Sequence, residues 1–112
     1  MKDVSVYLEH VLECIQRIEK FMRGMDKNKF LRDELVQSAV VRQIEVIGEA
    51  MKNIPPEFRK KYSNIEWKEI IGTRDKMIHH YFGVDLEFTF DIVRNDIPRL
   101  KNQVKDILDK PE

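Results

Sequence analysis

Apolar residues recur along this chain at alternating intervals of three and four positions, the pattern of amphipathic helices. A first helix is predicted from Asp3 to about Gly24, a natural C-terminal stop. Its apolar stripe consists of Val4, Leu8, Val11, Ile15, Ile18, Met22 and Met25. A short linking element over residues 26–31 follows. No segment alternates as a strand would, so the pattern predicts a helical fold.

A second helix is predicted from about Asp33 to Asn53, with a face broad enough to pack against several neighbours. Pro55-Pro56 ends it, because proline supplies no backbone donor and disfavours helix in the residue before it. One helical turn is expected from Glu57 to Tyr62. The broad face consists of two rows: Leu35, Ala39, Val46, Ala50 and Val36, Val40, Ile47, Met51.

The third long helix is predicted to begin at Ser63 or Asn64 and to end at Gly83. Glu66 is placed for a capping box from Ser63. Gly72 inside this helix costs about 1 kcal/mol relative to Ala. We expect the close approach of another backbone, such as that of a partner helix, to offset this cost.

The last helix, from Asp85 to about Asp109, keeps its apolar stripe in phase across Pro98, so a kink is expected rather than a break. The elements together predict a single all-α domain over residues 1–112. Its architecture is an antiparallel up-and-down bundle of four long helices with short helical turns.

Composition narrows the class of protein. The chain is 36% charged with a formal net charge of zero, so any binding of nucleic acid must depend on a local site. The densest basic run, Arg59-Lys60-Lys61, is equally compatible with a solvated cluster and a phosphate track. Cys14 stands alone in an apolar stripe, which predicts a buried free thiol and excludes an intramolecular disulfide. No signal peptide or long apolar run is present, and a cytoplasmic protein without a membrane segment is expected.

The chemistry concentrates in one short stretch that contains Arg74, His79 and Tyr81. Arginine can neutralise a phosphate, histidine can move protons near neutral pH, and tyrosine can donate, accept or be modified. At about 100° per residue, Arg74 and Tyr81 lie roughly 20° apart on a helix, and His79 lies about 140° from Arg74. The three groups therefore meet only if the last turn unwinds, or if His79 of one subunit faces Arg74 of another.

Asp75 and His79, spaced i and i+4, share a face of the predicted helix. The carboxylate could orient the imidazole, and a plain surface pair is the alternative. A catalytic zinc site needs about three protein ligands, and this pair supplies two. A metal site is therefore disfavoured. Unrelated surface positions remain the default for any such polar triplet.

The stretch Ile71-Gly72-Thr73-Arg74-Asp75, with His79 and Tyr81 following, resembles the HepT-like branch of the HEPN superfamily. The resemblance covers almost the whole chain, including Ile44-Glu45-Val46-Ile47-Gly48-Glu49-Ala50 and Trp67-Lys68-Glu69-Ile70. It departs at His80, where relatives often carry a small residue such as Gly. With His80, the loose motif can also be read as Arg74-x5-His80.

This resemblance implies an all-α homodimer with its active cleft at the interface, and an endoribonuclease toxin paired with a minimal nucleotidyltransferase antitoxin. It implies that Arg74 and His79 are catalytic, without a metal or other cofactor, and that Asp75 orients His79. Lys76 and His80 are possible RNA contacts. Tyr81 would be the residue that the antitoxin adenylylates. The alternatives are a non-catalytic dimer that binds a nucleotide or partner protein through the same cleft, and a purely structural helical adaptor.

Overall fold

The computed structural model describes residues 3–79 and 83–110, and for His79 it describes the main chain. The fold is all-α in this part of the chain, as predicted. The helices are α1 (Val4–Phe21), α2 (Lys27–Arg32), α3 (Glu34–Lys52), α4 (Pro56–Lys61), α5 (Trp67–Ile71), α6 (Thr73–Met77), α7 (Leu86–Asp91) and α8 (Ile97–Asp109). Strands β1 (Ile78–His79) and β2 (Gly83–Val84) and a π-helical segment (Ile92–Asp96) complete the described elements.

The first two long helices lie where the apolar pattern predicts them. The side chain of Asp3 accepts from the N–H of Ser5 and begins α1, which ends at Phe21, a little before the predicted stop. Gly24 lies in the turn that follows, at φ +73°, a conformation that favours glycine. Asp33 caps α3 in the same way through the N–H of Val36, at 3.1 Å.

The prediction of a third long helix is wrong. The structure has α5 and α6 instead, separated at Gly72, and α6 ends at Met77. Ser63 forms no capping box, since Glu66 occupies the N-cap of α5 and makes no capping bond with its side chain. At Gly72 an added Cβ would lie 3.2 Å from the carbonyl oxygen of Lys68, so the close approach there is to the preceding helix α5. The α5–α6 junction also contacts Gly48 of α3, where an added Cβ would lie 3.6 Å from the carbonyl oxygen of Ile71.

The expectation that the chain contains no strand is wrong at the same place. Ile78 leaves the helical region at φ −105° and ψ 115°, and β1 pairs with β2 in an antiparallel register that matches Ile78 with Val84 and His79 with Gly83. Strands of two residues are too short to show a periodic signal in the sequence. The described bundle consists of three long helical stretches, which are α1, α3 and residues 86–109, and a fourth that is divided into α5 and α6.

The C-terminal stretch is continuous from Leu86 to Asp109, as the in-phase stripe predicts, and Asp85 provides its N-cap. The π-helical segment lies just before Pro98, and the N–H of Ile97 bonds the carbonyl of Ile92 five residues back. An extra residue per turn at this point accommodates the proline without ending the helix.

The core lies where α1, α3 and the C-terminal stretch pack together, with α2 and α7 joined through Phe30 and Phe90. Their ring centroids are 5.7 Å apart. Met51 and Met77 are fully buried, as expected for core positions, while Phe82 lies outside the described residues. Cys14 is a buried free cysteine, which confirms the prediction.

Candidate functional site

Arg74 lies on α6 and is held against α3 by an ion pair. Its Nε donates to Oε2 of Glu45 at 2.9 Å. The arginine side chain is 57% exposed and that of Glu45 is 22% exposed, so the guanidinium faces solvent while its partner is set back against the protein. The α5–α6 junction approaches α3 at Gly48, one turn after Glu45.

An open cleft of about 340 Å³ lies beside this pair, between α3 and the α5–α6 junction. Its charged lining consists of two cations, Lys52 and Arg74, and three carboxylates, Glu45, Glu49 and Asp75. A phosphate that enters the cleft would therefore approach Arg74 between carboxylates. The remaining lining residues are Ile44, Gly48, Ile70, Ile71 and Gly72.

Asp75 is strongly exposed, at 87% of its side-chain surface, and its Oδ1 lies 3.8 Å from Nη1 of Arg74. The prediction that Asp75 and His79 share a helical face is wrong, because α6 ends at Met77. The prediction that Asp75 orients the imidazole of His79 is not tested by any described contact. Lys76, the possible RNA contact, is exposed on the same helix.

His79 lies in β1, with its main chain opposite Gly83. The helix ends at Met77, before His79, so the angle between Arg74 and His79 expected on an intact helix does not apply. The N–H of Asp85 bonds the carbonyl of Met77 at 2.8 Å, so the two ends of this hairpin are joined. The predicted roles of His80 and Tyr81 fall on residues outside the described part of the chain.

The basic run at Arg59 divides into two kinds of residue. Arg59 caps the C-terminal end of α3, donating from Nε to the carbonyl of Ile54 and from Nη2 to that of Lys52, both at 2.9 Å. Lys61 is placed over the ring of Tyr62, 5.5 Å from its centroid. Arg59 is therefore a structural residue, and a phosphate track in this region would have to use the lysines.

Glu45 is the functional candidate that sequence reasoning missed. Its segment was identified only through resemblance, and no periodic signal connects it with an arginine 29 positions further along the chain. A pair of this kind depends on how α6 packs against α3, which the sequence pattern did not reveal.

Residues 3–79 and 83–110 contain no group of three His, Cys, Asp or Glu side chains placed to hold a metal ion. None of their helices combines the length and the apolar character that crossing a bilayer requires.

Fold and cleft define an all-α domain that presents an arginine beside a histidine-bearing hairpin. The model of a family described as "Ribonuclease HepT-like" matches residues 11–107. The chain belongs to this HepT-like family. No solved structure matches it.

Relatives from bacteria and archaea agree with this assignment. "Putative RNase TTE0752" of Caldanaerobacter subterraneus subsp. tengcongensis is 48% identical over 98% of this chain and 98% of its own length. "Probable ribonuclease HepT" of Thermococcus cleftensis is 46% identical over 87% of this chain and 88% of its own. A "Gamma-glutamylcyclotransferase and putative RNase" of Methanocaldococcus jannaschii is 47% identical over 97% of this chain, and the chain spans about half (49%) of that relative's length.

Proposed function

We propose that this chain is a metal-independent endoribonuclease in which Arg74 and His79 act on the scissile phosphodiester. The observation that carries the proposal is the position of Arg74. Its guanidinium is exposed in an open cleft and bonded at Nε by Glu45, and the residue lies four positions before β1, the strand that contains His79. Membership of the HepT-like family and the names of the relatives support RNA as the substrate.

The mechanism assigns each group a separate task. The imidazole of His79 takes the proton from the ribose 2′-hydroxyl or gives one to the leaving oxygen, as a general base or acid. The guanidinium of Arg74 stabilises the charge that develops on the phosphoryl oxygens. Asp75 supports the imidazole, and Lys76 and His80 contact the RNA backbone.

A homodimer completes the cleft in this proposal. One predicted apolar row of α3 supports it, because Leu35 is 81% exposed and Val46 is only half-buried within the protomer. Val46 directly follows Glu45, about 100° around the helix. A second copy that covers this row would therefore lie beside the cleft and could add its own His79 or Arg74 to it.

Regulation by a minimal nucleotidyltransferase is the further part of the proposal, and the family resemblance supports it. The antitoxin transfers adenylate from ATP to the hydroxyl of Tyr81, and pyrophosphate leaves. The added negative charge then occupies the place of the RNA phosphate and switches the cytoplasmic toxin off. Mass analysis of the tryptic peptide that contains Tyr81, after incubation with the partner and ATP, tests this step; an unmodified peptide in an inhibited sample would contradict it.

The decisive experiment measures cleavage of a cellular RNA pool in EDTA. Loss of a general acid–base group costs about 10²–10⁴-fold in rate, so His79→Ala is expected to be nearly inactive. Arg74→Ala is expected to be similarly impaired. Arg99→Ala is the matched control, because Arg99 is 55% exposed and is likewise paired with a glutamate, Glu66, at the N-cap of α5. Equal cleavage in all four proteins would point to a contaminating nuclease and reject the proposal.

The charge balance of the cleft favours one alternative enough to test it beside the enzyme. Three carboxylates and two cations suit a single phosphate on Arg74 better than a long polyanion. A non-catalytic dimer would bind a nucleotide or a partner protein there and would cleave nothing. Nucleotide binding that Arg74→Ala abolishes, with no RNA cleavage by the native dimer, would favour this second function.

A further inference from the structure

The carboxylate of Glu45 and the guanidinium of Arg74 form the shortest ion pair in the cleft. The Nε–Oε2 distance is 2.9 Å, whereas Asp75 lies 3.8 Å from Nη1, beyond hydrogen-bond range. Glu45 projects from the middle of α3, a 19-residue helix of the core. The arginine projects from α6, which has five residues. The anchor of the pair is therefore the glutamate.

The edge of the guanidinium that Glu45 uses determines which edge remains for a ligand. Nε lies at the stem of the planar group, and Nη1 and Nη2 lie at its far end. A carboxylate on Nε restrains rotation of the plane and occupies its side-on edge, which leaves the end-on pair, Nη1 and Nη2, to bind two phosphate oxygens at once. Among the described residues, the 3.8 Å approach of Asp75 is the only ion-pair contact at that far end.

We propose that Glu45 is a positioning residue for Arg74: it orients the guanidinium so that its terminal nitrogens present a fixed fork to the scissile phosphate. The inference rests on the proposed ribonuclease function and goes beyond it, because the sequence motif contains the arginine but not its partner. Glu45 touches no reacting atom and acts only through Arg74.

Stability alone does not account for this pair. Exposed ion pairs contribute little to folding, and Arg74 is more than half exposed. Loss of Glu45 is therefore expected to leave the fold intact and to release the arginine into several rotamers. Misplacement of a catalytic group by about 1 Å can cost up to 100-fold in rate, so the consequence should appear in kcat.

The opposite role would give the opposite result. A carboxylate beside the guanidinium could compete with phosphate, and removing it would then strengthen RNA binding and raise activity. The 2.9 Å bond to Nε favours orientation, because the competing negative charge and the phosphate-binding fork lie at different ends of the group. The sign of the effect on kcat distinguishes the two roles.

Glu49 offers a matched control. It lies one turn further along α3, lines the same cleft and carries the same charge. Among the described residues, Glu45 forms an ion pair with Arg74 and Glu49 forms none. Glu49→Ala therefore changes the electrostatics of the cleft by one charge and leaves the guanidinium of Arg74 held.

The experiment measures kcat and KM for RNA cleavage, with thermal unfolding of each variant. Glu45→Ala is expected to lower kcat by about ten- to a hundredfold with little change in KM or in unfolding temperature. Glu45→Gln is expected to recover most of the rate, since its amide oxygen still accepts from Nε. Glu49→Ala removes the same charge from the cleft, so it is expected to lower KM for the RNA polyanion without the loss of kcat seen in Glu45→Ala.

Arg74→Lys tests whether the effect of Glu45 depends on the guanidinium of Arg74. Lysine has no guanidinium plane for Glu45 to orient, so Glu45→Ala is expected to add little to the loss already caused by Arg74→Lys. Multiplying losses in the double variant would overturn the positioning role, as would native or raised kcat in Glu45→Ala. Cleavage that falls in Arg74→Ala but not in Glu45→Ala rejects this inference alone, and cleavage unchanged in Arg74→Ala rejects the ribonuclease site together with it.

Discussion

The main-chain N–H of Asp85 donates to the main-chain carbonyl of Met77 at 2.8 Å, and this bond joins the end of α6 to the start of α7. The side chain of Asp85 also accepts from the N–H of Phe88 at 3.0 Å, as the N-cap of α7. One residue thus fixes the start of a helix and the base of the hairpin that contains His79. The position of the histidine is therefore coupled to a helix cap.

Replacement of Asp85 by alanine tests this coupling. Loss of an N-cap costs about 1 kcal/mol, so the free energy of unfolding in urea should fall by that amount. RNA cleavage per folded molecule should fall too, because alanine keeps the main-chain bond to Met77 but frays the first turn of α7, to which the hairpin base is attached. Asp85→Asn should retain both properties, since asparagine also caps helices.

Asp33 separates the two effects. It caps α3 through the N–H of Val36, and its described hydrogen bonds reach only Phe30, Val36 and Gln37, none of which belongs to the hairpin. Asp33→Ala should lose a similar free energy of unfolding, about 1 kcal/mol, and keep its activity per folded molecule. Equal losses of activity in the alanine variants of Asp33 and Asp85 would show that the cap of α7 has no particular connection with the site.

Arg59 should prove structural in a direct comparison with its neighbour. Its guanidinium donates to carbonyls at the C-terminal end of α3, so Arg59→Ala should lower the free energy of unfolding by about 1–2 kcal/mol. Lys60 is exposed, and Lys60→Ala should change it by less than about 0.5 kcal/mol. Urea titration checks both values. A phosphate-binding role for Arg59 would instead weaken RNA binding at unchanged stability.

The long helices were predictable because each buries a continuous apolar stripe and begins at a capping aspartate. Asp33 and Asp85 both occupy the predicted starts, and both accept from the N–H three residues later. The phase of the last stripe also indicated correctly that the helix continues through Pro98. Its accommodation by a π-helical segment did not follow from the sequence.

The hairpin beside Arg74 was not predictable from periodicity, because β1 and β2 have two residues each. The residue types held a partial signal, because Ile78 and Val84 are β-branched and Gly83 is a residue that favours turns. In the structure Gly83 adopts φ +78°. The motif spacing misled in one respect. It placed Asp75 and His79 on one helical face, whereas the helix ends between them at Met77. Pairing of Arg74 with Glu45 depends on tertiary packing and had no sequence signal.

Cys14 should be inert until the protein unfolds. It is fully buried in α1, and burial raises the pKa of its thiol above the ordinary value of 9.0. Thiol reagents at pH 8 should label the native protein only at the rate of unfolding, and the denatured protein at once. Rapid labelling of the native protein would contradict this burial.

The same raised pKa predicts an alkaline dependence of stability. The folded state keeps the proton of Cys14 at a pH where the unfolded chain loses it, so this contribution is complete below about pH 9 and is lost as the pH rises through the folded pKa. The free energy of unfolding of the native protein should therefore fall more steeply above pH 9 than that of Cys14→Ala. Parallel curves would show that the thiol does not contribute.

Gly48 should tolerate one carbon and no more. An added Cβ would meet the carbonyl oxygens of Ile71 and Ile70 at 3.6 and 3.7 Å, which are ordinary contacts. Gly48→Ala, inside α3, should therefore raise the free energy of unfolding by about 0.5–1 kcal/mol in urea titration. Gly48→Leu has no room against the α5–α6 junction and should lower it by about 1–3 kcal/mol. It should also displace α6 and reduce cleavage, because Arg74 would move away from Glu45. A leucine variant with native stability and activity would show that α6 does not depend on this close approach.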